Sequence, residues 1–202
     1  KQPQFENWKL PIPKQLDQLL TNRSGGTDDA YLVTHRKMED EYKRLIQRCR
    51  ALSIKPTIEA LTVAIGRQEM TFWDEGNKAS VFPVSTGRNH PSCVSDSLGT
   101  PTGLHAIADK KGEDEALGTV FRHRLSLGQK YWELDREEQK KNLITTRIMR
   151  LRGMEKGHNT GSGRDTYDRF IYIHGTNHEE KIGQPTSAGC IEMRNGEIVD
   201  LF

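Results

Sequence analysis

Residues 169–195 of this 202-residue chain read RFIYIHGTNHEEKIGQPTSAGCIEMRN, and this stretch decides most of what we predict about the fold. Phe170, Tyr172 and His174 alternate along it with Ile171 and Ile173. Alternation with a period of two places successive side chains on opposite faces of a β-strand. We therefore predict a strand over residues 168–174 that has an aromatic, histidine-bearing face and an aliphatic face.

A histidine and a cysteine stand at the two ends of this stretch. We predict that His174 ends the strand, where Gly175 lets the backbone turn sharply and the imidazole projects into a cleft. Cys190 follows Ser187, Ala188 and Gly189, small residues whose backbone amides we expect to face an incoming carbonyl oxygen as an oxyanion hole.

A thiol beside an imidazole is the minimum equipment for nucleophilic acyl transfer, because the imidazole removes the thiol proton. The imidazole also needs a partner on its other nitrogen, and the backbone carbonyl of Gly175 is our candidate. The residues alone leave an alternative open, in which Cys190 is a small buried apolar side chain and His174 packs at a strand end.

The region upstream of this stretch has the rhythm of an all-β core. Short β-branched and aromatic runs separated by glycine-bearing turns indicate antiparallel hairpins. We predict strands within the runs IEALTVAIG (58–66), MTFWDEG (70–76), ASVFPVSTG (79–87), GLHAIAD (103–109), GTVFRHRLSL (118–127) and ITTRIMRL (144–151). The charged run YWELDREEQKKN (131–142) is a short helix or a surface loop.

Residues 1–55 differ from the rest of the chain in their hydrophobic pattern. After a Ser-Gly-Gly break at 24–26, apolar residues recur at helical spacing behind two aspartates that favour a helix start. We predict one amphipathic helix that packs against the core or binds a partner, with its apolar face made by Tyr31, His35, Met38, Tyr42, Leu45, Ile46, Cys49 and Leu52. We expect a division into an N-terminal helical extension (1–55) and a catalytic domain (56–202).

Composition excludes several classes of protein. Thirty basic and 28 acidic side chains give a net charge of +2, which does not favour nucleic acid as a partner. No run of about 18 apolar residues exists, so we predict no membrane span. The sequence shows no signal peptide, and its start at Lys1 suggests that an N-terminal piece is missing.

The remaining cysteines and histidines suggest weaker alternatives. A Cys49–Cys93 bridge would require an oxidising compartment, and two free buried thiols are the simpler interpretation. Cys93 is a rival nucleophile without a histidine at a matching turn, although His90 is close in sequence.

Two other motifs could suggest a ligand. His174 and His178, with Cys190 or His158, could suggest zinc, but that spacing aligns ligands on a helix and not after a strand. The GHNTGSG run (157–163) is a loop beside the cleft, since a phosphate-binding loop would continue with Lys-Ser/Thr.

The segment around Cys190 resembles the L,D-transpeptidase catalytic domain, the YkuD-like family. The family has a histidine followed by Gly-Thr, then a glycine-proline loop, then Ser-His-Gly-Cys with a hydrophobic, arginine and asparagine tail. The matching residues are His174-Gly175-Thr176, Ile182-Gly183-Gln184-Pro185, Ser187, Gly189-Cys190-Ile191 and Met193-Arg194-Asn195. The resemblance continues through FPVSTG (82–87), TPTGLHAI (100–107), ITTRIMRLRG (144–153) and GHNTG (157–161), and covers about residues 55–202.

The resemblance implies a mainly β fold with flanking helices, a mixed and mostly antiparallel β-sandwich. It also implies a peptidoglycan L,D-transpeptidase of the bacterial periplasm or cell envelope, open to carbapenem inhibitors and in need of no metal or organic cofactor. Water as acceptor would make the same enzyme an L,D-carboxypeptidase, and a catalytically weak peptidoglycan-binding relative is a further alternative. The site that we predict comprises catalytic Cys190, His174 and Gly175, and substrate-binding or oxyanion residues Ser187, Gly189, Tyr172, Arg194 and Asn195.

Two residues depart from the family pattern. Ala188 stands where the family usually has histidine, and Glu192 where it usually has arginine. The second change reverses a charge two residues from the nucleophile, so it weakens capture of a substrate carboxylate or raises the pKa of the thiol. We expect these two changes to tune the choice of donor or acceptor, unless Arg194 compensates.

Overall fold

The computed structural model describes the backbone of residues 29–202 and the side chains of residues 40–202. Helix α1 (Asp29–Ala51) is the predicted amphipathic helix. Within residues 41–202, which form one compact unit, Ile46 and Cys49 are buried and the Tyr42 ring lies 5.2 Å from that of Trp73. The predicted apolar positions before residue 40 lie outside the described side chains. The division at residue 55 stays a prediction.

The rest of the described chain is mostly strand. Its strands are β1 (Glu59–Ala64), β2 (Glu69–Asp74), β3 (Asn77–Pro83), β4 (His105–Lys111), β5 (Thr119–Arg122), β6 (Leu125–Lys130), β7 (Ile144–Gly153), β8 (Tyr172–Thr176) and β9 (Ile191–Met193). Its helices are α2 (Arg136–Gln139), α3 (Asn195–Leu201) and the 3₁₀ turns Ile65–Arg67, Tyr131–Glu133 and Glu179–Lys181. No helix among the described residues has the length and apolar character needed to cross a membrane.

The strands form two sheets. The first is antiparallel with the order β1-β2-β3, and the second has the order β6-β5-β7-β8-β9, with β4 pairing β7. All neighbours in the second sheet are antiparallel except β8 and β9, which are parallel. The prediction of a mixed, mostly antiparallel β-sandwich with flanking helices is confirmed.

One face of the second sheet builds the core. Ile171 and Ile173 lie on that face, as the alternation predicted, and β9 and α3 complete the same apolar layer. Burial of large aliphatic side chains of this kind stabilises the fold by about 1.5–3 kcal/mol each. The buried members of the layer are Met70, Val84, Met149, Leu151, Ile171, Ile173, Ile191, Met193 and Ile198. The opposite face of the same strands is therefore left for chemistry.

The run 118–127 is not the single strand that we predicted. It is a hairpin in which β5 and β6 are joined by His123 and Arg124, with φ angles of 52° and 64°. Two central residues with positive φ are the geometry of a type I′ turn, which glycine and asparagine normally supply. Because neither glycine nor asparagine stands at these two positions, the alternating pattern continued through the turn and predicted one strand.

The second difference concerns the ends of β8. The strand begins at Tyr172 and continues through Gly175 and Thr176, so His174 lies inside it and Gly175 does not turn the chain. Gly175 is needed for close packing instead, since a Cβ there would lie 2.6 Å from Asn195 Oδ1 and 2.8 Å from the Thr145 carbonyl oxygen. The predicted strand start at 168 is also wrong, because Phe170 has a φ of 55° and interrupts the extended backbone.

Candidate active site

Two rows of side chains cross the face of the second sheet that is turned away from the core. In register across β7 and β8, Arg150 lies beside Tyr172 and Ile148 lies beside His174. Across β8 and β9, His174 lies beside Glu192, and Cys190 precedes β9 on the same side. Parallel and antiparallel neighbours in register point to one face of a sheet. The fold thus brings Cys190 and His174 to one surface.

The turn that presents Cys190 depends on its small residues. Gly189 is buried with a φ of 119°, and a Cβ there would lie 3.1 Å from the Gly99 carbonyl oxygen. Ser187 is buried and its Oγ donates to the Cys190 carbonyl at 2.6 Å while accepting the Gly189 N–H at 3.0 Å. The Gly189 amide, which we predicted for the oxyanion, is therefore engaged inside the turn.

The Cys190 thiol is half-buried and meets backbone groups of the preceding segment. Its Sγ accepts the Tyr172 N–H at 3.4 Å and lies 3.6 Å from the Phe170 carbonyl oxygen. Burial raises the pKa of the thiol to about 12, and the charge of Glu192 adds to the rise, whereas the Tyr172 N–H and Arg169 oppose it. At rest the Cys190 thiol is therefore protonated.

His174 has the protonation and orientation that a base requires. The imidazole is buried, and its Nδ1 lies 2.8 Å from the Gly175 carbonyl oxygen, so Nδ1 carries the proton and Nε2 is left to accept one. Burial lowers the pKa of His174, and the charge of Glu192 and the Gly175 carbonyl partly oppose this. No direct hydrogen bond joins His174 to Cys190 within residues 40–202.

Glu192 lies in the centre of the site, buried beside His174. Its carboxylate accepts hydrogen bonds from Asn142 Nδ2 at 2.5 Å and Thr186 Oγ1 at 3.4 Å. Its negative charge raises the pKa of both the imidazole and the thiol. Glu192, one of the two residues that we expected to depart from the family pattern, therefore acts on the candidate base and the candidate nucleophile together. Ala188, the other departure, is exposed beside them.

Two of the predicted binding residues lie at the start of helix α3 and make contacts there. Asn195 is buried, donates from Nδ2 to Thr176 O at 2.8 Å and accepts the Thr145 hydroxyl at 2.6 Å. Arg194 pairs with Glu197 at 3.1 Å. These contacts anchor the start of α3, and the structure does not bring Asn195 to the thiol.

Arg169 is a charged neighbour of the candidate site that the sequence did not predict. Its guanidinium donates to the carbonyl oxygens of Ser92 at 2.9 Å and Gly99 at 2.8 Å, which holds the loop 92–99 against the turn containing Gly189. Its positive charge lowers the pKa of the Cys190 thiol. Nothing in the local pattern distinguishes this arginine, because its hydrogen-bond partners Gly99 and Ser92 lie 70 and 77 positions away.

Cys93 differs from our expectation. All three cysteines are free, and Cys93 is buried with its Sγ 3.7 Å from His158 Nε2 and 3.6 Å from the Thr102 carbonyl oxygen. The expectation that it lacks a histidine is wrong, because the loop 157–163 folds back on residues 102–104 through the amide of Asn159. Among the described residues, the Cys93 thiol thus lies within 4 Å of an imidazole, whereas Cys190 shares a sheet face with His174.

The chain is similar in sequence to known proteins of one family. The family model of the YkuD L,D-transpeptidase catalytic domain matches residues 59–202. A putative L,D-transpeptidase, YqjB of Bacillus subtilis strain 168, is 51% identical over 39 residues, which are 19% of this chain and 22% of that protein.

Solved structures are similar at lower identity. An L,D-transpeptidase from Mycobacterium smegmatis has a TM-score of 0.42 at 15% identity and is covered over 51% of its length by 69% of this chain. L,D-transpeptidase 3 from Mycobacterium tuberculosis, solved with a faropenem-derived adduct, has a TM-score of 0.41 at 14% identity, with 69% of this chain and 54% of that chain covered. The chain spans about half the length of these solved proteins.

Proposed function

Because this chain belongs to the L,D-transpeptidase catalytic domain family, we propose that it is a cysteine-dependent peptidoglycan L,D-transpeptidase. The observation that carries the proposal is the common face of Cys190 and His174, with the Gly175 carbonyl fixing the imidazole so that Nε2 accepts a proton. Cys190 is the nucleophile and His174 the general base in this proposal. The donor substrate is a stem tetrapeptide of the bacterial cell envelope.

The proposed reaction has two halves. His174 Nε2 takes the Cys190 proton, and the thiolate attacks the carbonyl of the third residue of the donor stem. The tetrahedral intermediate collapses, the peptide C–N bond breaks, and the imidazolium returns the proton to the departing D-alanine amine. An acceptor amine of a second stem then attacks the thioester, gives its proton to His174 and expels the thiolate, which leaves a 3→3 cross-link.

The electrostatics of the site favour activation within the bound complex. A thiol with a pKa of about 12 and an imidazole with a lowered pKa form a neutral pair at rest. Proton transfer creates an ion pair, and the positive charge of Arg169 favours the thiolate. Substrate that covers the half-buried thiol also excludes water, which strengthens these interactions.

Carbapenem labelling tests the nucleophile. A carbapenem should acylate the native chain and raise its intact mass by one inhibitor, since the thiolate opens the β-lactam ring without a leaving group. Cys190→Ala should remove the adduct, and Cys93→Ala should keep it. An adduct that persists in Cys190→Ala would contradict the assignment.

Incubation with tetrapeptide muropeptides identifies the acceptor. Cross-linked dimers and free D-alanine would establish transpeptidation, whereas tripeptide with D-alanine would establish the L,D-carboxypeptidase. The buried Glu192 favours a third possibility, a catalytically weak peptidoglycan-binding relative, because it raises the pKa of the thiol. Binding of muropeptides without release of D-alanine would support that function.

A further inference from the structure

A buried arginine lies in the same row as the nucleophile. Arg150 on β7 is in register with Tyr172, and Tyr172 is followed across the sheet by Cys190, whose Sγ accepts the Tyr172 N–H. Arg150 is 6% exposed, and its guanidinium carbon lies 3.3 Å from the centroid of the Tyr167 ring. Its terminal nitrogen donates to the Tyr167 carbonyl at 2.7 Å. Nε is buried and has no hydrogen-bond partner.

The charge of Arg150 has no counterion in the described part of the chain, since no carboxylate oxygen lies within 4 Å of its guanidinium. Asp109, in register with Arg150 on β4, accepts instead from the Tyr167 hydroxyl at 2.9 Å. A buried cation without an anionic partner is costly, because desolvation is not compensated by attraction. The unpaired Nε and the unbalanced charge both indicate an anionic ligand.

A second arginine approaches the same place from the β5–β6 hairpin. Arg124 holds a φ of 64° in the turn, its guanidinium carbon is 5.4 Å from the Phe170 ring centroid, and it lies against the Tyr172 hydroxyl. The Phe170 ring is 51% exposed and is flanked on its other side by Arg150 at 4.9 Å. Residues held at a positive φ without glycine concentrate at functional sites.

We propose that Arg150 and Arg124, with the Tyr172 hydroxyl, bind the C-terminal carboxylate of the donor peptide. The inference rests on the proposed function. Two strand spacings separate the Cα atoms of Arg150 and Cys190 by about 10 Å. That span admits one extended residue, about 3.3–3.6 Å long, between the scissile carbonyl at the thiol and a carboxylate at Arg150. Arginine is also the residue best suited to a carboxylate.

A pair of donors that differ only at the C-terminus tests the proposal. The native chain should release D-alanine from a tetrapeptide acid with a kcat/KM about 10-fold to 100-fold higher than it releases D-alaninamide from the tetrapeptide amide. Arg124→Gln should lower kcat/KM for the acid about 10-fold and change that for the amide less than about twofold. Arg150→Met should reduce the same acid preference further.

Arg122→Gln is the matched control, because Arg122 is in the same hairpin but pairs with Glu138 at 2.9 Å. It should keep the native acid-to-amide ratio. Binding of both peptides to Cys190→Ala by calorimetry supplies a readout that does not need turnover and should favour the acid. Equal affinity for acid and amide would overturn the carboxylate subsite, whereas a preference for the acid with no release of D-alanine by the native chain would overturn only the proposed function. If Arg150→Met does not fold, Arg124→Gln still decides between these outcomes.

Discussion

Glu192 is a charged residue of the candidate site that acts on both His174 and Cys190. It is buried, hydrogen-bonded through both carboxylate oxygens, and its charge acts on the imidazole and on the thiol in the same direction. A higher pKa helps His174 to hold a proton but hinders Cys190 in losing one. The two effects oppose each other in the first proton transfer, so Glu192 should show its influence in the pH dependence of acylation.

The pH profile of carbapenem acylation measures this influence. Protonation of His174 removes the base as the pH falls, and because burial lowers its pKa, the acid midpoint should lie below 6.5. Glu192→Gln keeps an acceptor for Asn142 but loses the charge that raises the pKa of His174, so its midpoint should lie lower still. The measurement is the second-order rate of intact-mass increase between pH 4.5 and 8.5. A native midpoint above 6.5, or an upward movement in the variant, would contradict the assignment of His174.

Among the secondary-structure elements, strand β8 carries His174, and its packing against its neighbours fixes the position of that side chain. It lies between β7 and β9, and its Gly175 brings the Thr145 carbonyl and Asn195 close to the strand backbone. Asn195 fixes the start of α3 by bonding to Thr176 and Glu179, so β8 and α3 are tied at one point. Space at residue 175 therefore controls how these elements pack together.

Gly175→Ala should destabilise the fold by about 1–3 kcal/mol, because its Cβ would overlap atoms that are already bonded elsewhere. Urea unfolding followed by fluorescence measures the difference in the free energy of unfolding. Gly66→Ala is the matched control, since no atom lies within 4 Å of a Cβ at that position. If both variants unfold at the same urea concentration, close packing at Gly175 is not what requires a glycine there.

Sequence alternation predicted which elements form, but not where they turn. The face shared by Tyr172 and His174 and the aliphatic face of Ile173 follow from a period of two, so they were predictable. The turn at His123 and Arg124 was not, because positive φ without glycine is imposed by the surrounding packing. The position of Gly175 within a strand likewise depends on what approaches it from β7 and α3.

In the whole molecule, contacts between segments distant in sequence are the features that could not be predicted from the sequence. Cys190 and His174 could be paired from one short stretch, whereas the neighbours of Cys93 and the unpaired charge of Arg150 required the fold. A local pattern carries no record of a partner 65 positions away, such as His158 for Cys93. The family resemblance supplied the global arrangement that composition and periodicity could not.

Within residues 41–202, a long-range ion pair connects the last turns of α1 to the segment that follows β7. Arg48 donates two hydrogen bonds to Glu155, whose buried carboxylate also accepts the Leu104 N–H at 2.6 Å. Hydrogen bonding to Arg48 is the main cause that lowers the pKa of Glu155. The stability from this pair is therefore present above the unfolded pKa of a glutamate and is lost as the pH falls through the lower folded value.

Arg48→Met should lower the midpoint of thermal unfolding at pH 7, since it leaves the Glu155 charge buried with a backbone partner only. At a pH low enough to protonate Glu155, the variant and the native chain should unfold at nearly the same temperature. Arg50→Met, an exposed position two residues further along the helix, is the control and should match the native chain at both pH values. A deficit in Arg48→Met that does not depend on pH would mean that the methylene groups of Arg48, and not its charge, stabilise the helix.

In β8 and β9, the face on which each side chain lies is fixed by its position along the strand. Ile173 and His174 are neighbours in sequence, yet Ile173 packs in the core and His174 lies on the face of the candidate site. On the adjoining strand, Ile191 packs in the core and Glu192 lies beside His174. An insertion of one residue would exchange the two sets, putting an imidazole and a carboxylate into the apolar layer and isoleucines beside the thiol. A mutagenesis library that aims to alter specificity should therefore vary the length of the loop between the strands, and within the strands only the identity of residues.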